Sequence, residues 1–219
     1  MSKRSMKNTP DSYEIAKRLL DIVGAAVGLV LFSPVMLLTA IYIKLVSQGP
    51  VFADIPERIG KDSKKFRMYK FRSMITNAHA YLLQNPELYE EYKKNSYKLE
   101  NDPRIIKGGN FIRRTSIDEL PQFINVLKGD MSLVGPRAYF PFELRDQQVE
   151  FPQTRPYVEK LLTIKPGITG PWQVGGRSQI NFVERAKMDA GYASRRSILY
   201  DLHIVLETPL AVLQAKGAA

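Results

Sequence analysis

An uncharged apolar stretch of 22 residues, at positions 22–43, limits the possible folds of this chain more than any other feature. It lies between Asp21 and Lys44, and about 20 apolar residues are enough to span the hydrocarbon core of a bilayer. Ser33 and Pro34 interrupt it near its middle. Proline lacks a backbone N–H and costs roughly 3 kcal/mol inside a helix. We therefore expect a membrane helix that breaks or bends here, with the Ser33 hydroxyl as a replacement donor to the freed carbonyl.

The charges that flank this stretch bear on its topology. As helices, the parts before and after Pro34 measure ~16 Å and ~14 Å, so the stretch either crosses a ~30 Å core once or reaches mid-depth and returns. Residues 1–75 contain 13 Lys and Arg against six Asp and Glu, a net +7 of the chain's +10. Basic flanks prefer the cytoplasmic side. The hypothesis is a re-entrant helical hairpin with both ends cytoplasmic, and an ordinary kinked span stays open as the alternative.

The composition removes several chemistries. The chain has no Cys, which excludes a thiolate nucleophile, an Fe–S cluster and a Cys-based zinc site. Its only histidines are His79 and His203. A metal here is expected to be a hard cation on carboxylates, such as Mg²⁺. The net charge of +10 favours anionic partners, which include nucleic acid, a membrane surface and phosphorylated substrates.

The rest of the chain predicts an α/β fold that is mostly helical with a small sheet. Residues 51–74 contain short β-type runs, residues 75–100 have a helical pattern, and residues 120–127 place apolar side chains at helical spacing. The C-terminal apolar pattern predicts amphipathic helix split at Pro209, lying on a membrane or packing on its own domain. We expect an N-terminal membrane segment at 1–48 and a domain at 49–219 with a helical insert at 76–105.

The segment at 113–122 contains adjacent carboxylates, Asp118 and Glu119, after two arginines. One interpretation is structural: Ser116 and Glu119 have the spacing of a capping box, or Asp118 caps a helix that has Pro121 in its first turn. The other is functional, because a helix start attracts phosphates and two carboxylates can divide nucleophilic attack and metal binding. Both remain open on pattern alone.

Three further stretches suit phosphate binding but also have ordinary explanations. Arg137 follows a Gly-Pro turn, where a guanidinium can contact phosphate or simply face solvent. Residues 165–177 hold four Gly, two Pro and the only Trp, which is typical of a ligand loop or a plain loop. Residues 69–72 alternate apolar and basic side chains, as a strand with one solvated face does.

Taken together, these stretches resemble the bacterial sugar transferases that start lipid-linked glycan assembly, the monotopic phosphoglycosyl transferases. The similar segments run in the same order over nearly the whole chain from residue 15. They are K-R-L-L-D-I before the apolar stretch, Ser33-Pro34 within it, Y-K-F-R-S-M at 69–74, T-S-I-D-E-L-P-Q at 115–122, N-V-L-K-G-D-M-S-L-V-G-P-R at 125–137, K-P-G-I-T-G-x-W-Q-V at 165–174 and the Tyr192…Asp201 tail.

The resemblance implies transfer of a sugar-1-phosphate from a UDP-sugar to undecaprenyl phosphate, with release of UMP. It makes Asp118 the covalent nucleophile and Asp118 with Glu119 the ligands of Mg²⁺. It also implies that Ser33 and Pro34 break a re-entrant membrane helix, which favours the hairpin. The substrate- or phosphate-binding positions that it implies are Lys70, Arg72, Arg113, Arg137, Gln173 and Arg177.

The resemblance further implies a place in the cell and a branch of the family. The catalytic domain is expected on the cytoplasmic face of a bacterial inner membrane, against anionic lipids, with glycosyltransferases of O-antigen, capsule or exopolysaccharide assembly acting downstream. The insert at 76–105 resembles the branch that transfers galactose- or glucose-1-phosphate, and the chain resembles the catalytic unit of that branch. Ala138, Pro171 and Gly175 depart from the usual residues. A homo-oligomer is left open.

Two other functions would use the same charge and apolar stretch. A non-enzymatic membrane adaptor would release no UMP. A basic membrane protein that binds nucleic acid would show salt-sensitive binding. The cations flank the apolar stretch, where anionic lipid explains them, so nucleic acid is not expected as a partner.

Overall fold

The apolar stretch forms one long helix in a computed structural model of the chain, which describes residues 12–95, 97, 99–176 and 180–214. This helix, α1 (Ser12–Val46), has 35 residues, about 52 Å at 1.5 Å per residue. Among the described residues it is the one helix long and apolar enough to cross a membrane. Pro34 lies inside it, so the expected break does not divide the segment into two helices.

The helix continues through Pro34 because its hydrogen bonding is repaired there. The Ser33 hydroxyl donates to the Val30 carbonyl at 2.8 Å. Val30 is four residues before the proline, so this is the carbonyl that the missing N–H leaves without its helical partner. The replacement donor predicted from the sequence is therefore present.

The other elements are short. Within the described ranges, four strands form two two-stranded sheets, β1 (Arg58–Ile59) antiparallel to β2 (Lys65–Phe66) and β3 (Ser132–Val134) parallel to β4 (Gly167–Thr169). The remaining helices are α2 (Ala78–Leu83), α3 (Pro86–Lys94), α4 (Gly109–Arg114), α5 (Gln122–Lys128), α6 (Pro141–Glu150), α7 (Arg155–Leu161), α8 (Pro171–Gly175), α9 (Phe182–Arg195) and α10 (Ile198–Leu213). The mostly helical class with little sheet is confirmed, with two small sheets in place of one.

One face of α1 packs on the rest of the protein on both sides of Pro34. A Cβ atom added to Gly28 would lie 2.7 Å from the Phe123 ring of α5, so only glycine allows this close approach. Phe32 stacks on the same ring, with the centroids 6.3 Å apart. Beyond the proline, Met36 packs against a core cluster in which Ile43 is fully buried. The opposite face of α1 is a continuous exposed apolar surface.

The polar start of α1 is bonded to the same body. Arg18 donates to the carbonyls of Val126 and Leu127, at 2.6 and 2.8 Å, and so satisfies the last turn of α5. Asp21 accepts from the Ser132 hydroxyl and the Leu133 N–H of β3, at 2.8 and 2.9 Å. These hydrogen bonds fix α1 against α5 and β3, the elements next to Asp118, Glu119 and Arg137 in the chain.

The predicted helical insert consists of α2 and α3. A bridge between Met74 and Ile105 closes its base. The Tyr97 hydroxyl donates to Asp146 of α6 at 3.3 Å, and His79 of α2 stacks on Phe142. The insert therefore packs on the N-terminal half of α6.

The expected split of the C-terminal helix at Pro209 is wrong, because α10 is continuous and contains this proline. Ile204, one turn earlier, is buried in a core cluster with Val134 and Tyr192, so packing holds the helix where its hydrogen bonding is interrupted. The exposed face of α10 is a stripe of leucines spaced three and four residues apart. They are Leu199, Leu202, Leu206, Leu210 and Leu213.

Candidate active site

The adjacent carboxylates lie in a tight connection between α4 and α5. Asp118 and Glu119 belong to a single 3-10 turn, Ile117–Glu119, entered through Ser116 in the left-handed conformation with φ of 56°. Ser116 makes no side-chain cap, and Pro121 is the N-cap residue of α5 rather than a first-turn residue. Neither capping interpretation is therefore correct. The side chains of Asp118 and Glu119 do not cap a helix and can contact other groups.

Lys70 lies between the two carboxylates. Its Nζ is 2.8 Å from Asp118 Oδ2 and 3.2 Å from Glu119 Oε1. The backbone supports this arrangement, since the N–H of Phe71 donates to the Asp118 carbonyl at 2.9 Å. Asp118 is buried, with its side chain 2% exposed, whereas that of Glu119 is 38% exposed. The two acids share one cation but sit in different environments.

These environments shift the pKa values apart. Burial raises the pKa of Asp118, and Lys70 offsets this only in part because Glu119 adds repulsion. Burial also acts on Glu119, but Lys70 and Arg137 outweigh it and lower the pKa of that carboxyl. Burial lowers the pKa of Lys70 less than the two carboxylates raise it, so this side chain stays cationic. Asp118 is the more basic carboxylate of the pair.

Two of the predicted arginines differ from each other in position: Arg113 is close enough to act on Asp118, and Arg72 points away from the carboxylates. Arg113, in the last turn of α4, interacts electrostatically with Asp118. Arg72 is buried and its guanidinium donates to Ser47, Pro50 and Met74, away from the carboxylates. Its prediction as a phosphate-binding residue is therefore not supported by its position. Those hydrogen bonds consume its donors at the end of α1.

Arg137 reaches the site from the turn after β3. Gly135 allows this turn, because a Cβ there would lie 2.4 Å from the Lys165 carbonyl. The Arg137 N–H donates to Asp189 Oδ2 at 3.1 Å, and its Nε lies 3.7 Å from Glu143 Oε1. Its guanidinium carbon is 5.4 Å from the centre of the Trp172 ring. Arg137 is thus held from three sides and also acts on Glu119.

Two guanidinium groups near Arg137 were not predicted. Arg58 donates to the Ala138 carbonyl at 3.1 Å and stacks on Phe140, and burial beside Arg137 lowers its pKa to about 9. Arg185 of α9 lies over Trp172, 5.1 Å from the ring centre. The sequence carries no signal for Arg58, which lies in a two-residue strand, nor for Arg185, one of several charges on an amphipathic helix. Of the predicted loop residues, Gln173 lies in α8, and Arg177 lies outside the described residues.

The site is deficient in hydrogen-bond partners. Within the described part of the chain, eight buried side-chain atoms lack such a partner. They are Arg58 Nε, Asp118 Oδ2, Arg137 Nε, Tyr139 Oη, Trp172 Nε1, Gln173 Oε1, Arg185 Nε and Asp189 Oδ1. Asp118 Oδ2 still has its close ion pair with Lys70, without hydrogen-bond geometry. Buried polar atoms are nearly always bonded to protein or water, so this cleft has the unmet capacity that a polar ligand would fill.

The donor set for a metal is small. In the described chain, no group of three or more acidic or histidine side chains comes together. Asp118 and Glu119 are the adjacent carboxylates, and Mg²⁺ is commonly bound by one or two carboxylates that are completed by substrate phosphates and water. The pair therefore fits a magnesium ion that arrives with a phosphorylated ligand.

Comparison with known proteins identifies a family that matches most of the chain. The family described as bacterial sugar transferase matches residues 12–215. The galactosyl transferase CpsE of Streptococcus agalactiae is 42% identical over 98% of this chain and 46% of its own length. The undecaprenyl-phosphate galactose phosphotransferase of Salmonella typhimurium is 39% identical over 94% of this chain and 42% of its own. The chain thus spans under half of these two relatives.

The match extends over most of a shorter relative. The exopolysaccharide production protein ExoY of Rhizobium meliloti is 37% identical over 93% of this chain and 88% of its own length. The similar region therefore corresponds to nearly all of one relative and to less than half of the others.

Proposed function

The chain belongs to the bacterial sugar transferase family, and on this premise we propose that it transfers a hexose-1-phosphate from a UDP-sugar to undecaprenyl phosphate, releasing UMP. The observation that carries the proposal is the buried Asp118 paired with Lys70 beside a cleft of guanidinium groups. The name of one relative, an undecaprenyl-phosphate galactose phosphotransferase, supports undecaprenyl phosphate as the acceptor and a phosphosugar as the group transferred.

The first half-reaction forms a covalent enzyme. An Asp118 carboxylate oxygen attacks the sugar-bearing phosphorus, a new O–P bond forms, and the P–O bond to UMP breaks with its electrons on the leaving oxygen. Lys70 holds Asp118 in place and offsets negative charge on the donor, aided by Arg113. The raised pKa of Asp118 makes it the better nucleophile of the two acids.

The second half-reaction restores the enzyme. A phosphate oxygen of undecaprenyl phosphate attacks the same phosphorus, and the bond to Asp118 breaks to regenerate the carboxylate. Division into two steps means that two anionic substrates never have to approach each other directly. Neither step needs Cys or His, in agreement with the composition.

Magnesium is proposed as the cofactor. Asp118 and Glu119 would hold it together with the donor diphosphate, and the bound ion would neutralise phosphate charge. The lowered pKa of Glu119 keeps this carboxylate ionised and able to serve as a ligand.

We also propose that α1 enters the membrane without crossing it, on the cytoplasmic face of the inner membrane. Gly28, Phe32 and Met36, in the centre of the apolar stretch, contact the body of the protein. A transverse crossing would draw that body into the hydrocarbon. The exposed leucine stripe of α10 supports a shallow position, because such a stripe suits the interface.

The decisive experiment measures the covalent enzyme and its product. Purified protein is incubated with a panel of UDP-sugars and Mg²⁺, without acceptor, and its intact mass is recorded. We expect a mass increase of one hexose phosphate and release of UMP. Asp118→Asn should give neither, whereas Asp54→Asn, an exposed control, should behave like wild type. An adaptor or a nucleic-acid binder would release no UMP with any sugar.

The topology has its own test, which the lack of native Cys makes clean. Cysteines introduced as Asn8→Cys and Lys61→Cys are treated with an impermeant reagent in sealed vesicles of known orientation. Labelling of both from the cytoplasmic side is expected, and labelling from opposite sides would contradict the proposal.

A further inference from the structure

Arg185 and Arg137 converge on the same two aromatic rings. Their guanidinium carbons lie 5.1 and 5.4 Å from the centre of the Trp172 ring. They lie 5.9 and 6.0 Å from the centre of the Tyr139 ring. The aromatic faces hold both cations in the cleft, although the two positive charges repel each other.

The acids in this part of the cleft do not balance the cations. Glu143 is shared, since its carboxylate lies 3.7 Å from Arg137 Nε and 4.0 Å from an Arg58 nitrogen. Asp189, one turn after Arg185 on α9, uses Oδ2 to accept the Arg137 backbone N–H. Within the residues that the structure describes, no carboxylate lies within ion-pair distance of Arg185. Three guanidinium groups therefore face Glu143 and Asp189, together with Glu119, which is shared with Lys70.

Each of these guanidinium groups also has one donor without a hydrogen-bond acceptor. The Nε atoms of Arg137 and Arg185 are buried without an acceptor, as is that of Arg58. Guanidinium groups bind phosphate oxygens with charge-assisted, often paired hydrogen bonds. A phosphate would supply the missing acceptors and the missing negative charge together.

The position of Arg137 and Arg185 within the cleft indicates which phosphate of the donor diphosphate they bind. Asp118 interacts electrostatically with Lys70, Glu119 and Arg113. Arg137 acts on Glu119, whereas the charged groups that act on Arg185 are Arg137, Glu143 and Asp189 rather than Asp118. The cations near Asp118 serve the phosphorus under attack, so the pair further along suits the neighbouring phosphate of the diphosphate.

We propose that Arg185, together with Arg137, binds the nucleotide-side phosphate of the donor and then the departing UMP. The assignment rests on the proposed function. When the P–O bond breaks, its electrons remain on the UMP oxygen, and the two guanidinium groups neutralise the charge that appears there. Because in-line attack brings the acceptor phosphate to the side of the phosphorus that UMP left, Arg185 serves the phosphate at this position in both half-reactions.

The test compares the two half-reactions in Arg185→Ala and Arg185→Lys. Arg195→Ala, an exposed position on the same helix, is the control. Formation of the covalent enzyme from subsaturating UDP-sugar should slow by about 10- to 100-fold in Arg185→Ala, since a charge-assisted bond is lost. The rate of formation in Arg185→Lys should lie between those of Arg185→Ala and wild type, and the rate in Arg195→Ala should match wild type.

The covalent enzyme is then accumulated by long incubation, desalted and mixed with undecaprenyl phosphate. Transfer should slow in Arg185→Ala as well, because in-line attack brings the acceptor phosphate to the position that UMP has left, and the rate in Arg195→Ala should match wild type. Reversal by added UMP should be slowed in Arg185→Ala. Unchanged rates of formation and of reversal of the covalent enzyme in Arg185→Ala would overturn the assignment.

Binding of UMP alone, measured by calorimetry, separates this assignment from the proposed function. We expect at least a tenfold weaker Kd in Arg185→Ala. If wild type binds UMP but forms no covalent enzyme, the covalent mechanism fails while the Arg185 site stands. If Arg185→Ala binds UMP like wild type, the Arg185 site is wrong. Arg185→Lys gives the same comparison should the alanine variant fold poorly.

Discussion

Two buried polar regions of this protein differ in how fully their groups are bonded. At the start of α1, Lys17 lies 3.1 Å from Asp201 and 3.4 Å from Asp21. Asp201 also accepts from the Tyr192 hydroxyl at 2.6 Å and from that of Tyr13 at 3.2 Å. This network joins α1 to α10 and has no buried unbonded side-chain atom among its described members.

The cleft has the opposite character. Within the described residues, every buried side-chain atom without a hydrogen bond belongs to the cleft, from Arg58 to Asp189. An unpaired buried polar group costs free energy, and folding alone gives no reason to retain several of them. A network saturated by protein groups stabilises the structure, whereas groups without a protein partner are open to water or a ligand. Substitutions in the two regions should therefore separate stability from activity.

Removal of the buried carboxylate of the cleft should have the largest effect, and on activity alone. Asp118→Asn should reduce UMP release by at least about 10³-fold, because the nucleophile is lost. Its Tm should change by no more than a few degrees, since burial already disfavours this charge. Turnover and thermal unfolding in detergent check both parts. Near-normal turnover would show that another group attacks phosphorus.

The same change in the saturated network should have the reverse effect. Asp201→Asn leaves Lys17 with only one of its two acids and should cost about 3 kcal/mol, or roughly 10 °C in Tm. Activity per folded molecule should be unchanged. Glu207→Gln, an exposed acid on the same helix, should leave Tm within about 1 °C. A stable but inactive Asp201→Asn would break the distinction between the regions.

Asp189 offers a test through pH. Burial raises its pKa to about 7, although the Arg137 N–H opposes this. An unfolded Asp titrates near 4. The folded state therefore binds more protons between pH 4 and 7, and stability should fall as pH rises through this window, by at most about 1.4 kcal/mol per pH unit. Asp189→Asn should flatten that dependence. Identical profiles from pH 5 to 8 would contradict the shift.

The smallest effect is expected within α1. Ser33→Ala leaves the Val30 carbonyl without a donor, which should cost about 1 kcal/mol, partly offset by the helix propensity of alanine. The reduction in Tm should be a few degrees. Thr39→Val is the control, because the Val35 carbonyl that its hydroxyl contacts retains its helical N–H donor. Equal effects would mean that the bond at Val30 is not special.

Sequence patterns predicted the features that depend on interactions between residues close together in the chain. The apolar stretch predicted α1, and the proline predicted a donor from Ser33, which the structure places at Val30. The same rule failed at Pro209, because buried Ile204 holds α10 together and tertiary packing outweighs the local cost. The capping box failed at Ser116 because Lys70, far along the chain, takes Glu119 as its partner.

The cleft could be predicted only where motifs mark it. Lys70, Asp118, Glu119 and Arg137 were predicted to lie together through their resemblance to a family, and the structure brings them together. The position of Arg72 does not support its predicted role, since Lys70, two residues earlier, contacts the carboxylates whereas the Arg72 guanidinium donates to Ser47, Pro50 and Met74. Arg185 was missed because one arginine on a charged helix carries no local signal.

The sequence by itself determined the family and the long apolar helix, because these follow from hydropathy, composition and short contiguous motifs. The tertiary structure alone decided which charges are saturated and which are left open. That property depends on partners far apart in the chain, such as Lys17 with Asp201 and Arg137 with Asp189. Hydrogen bonding and charge pairing act over a few ångströms in space, and no spacing along the chain encodes such distances.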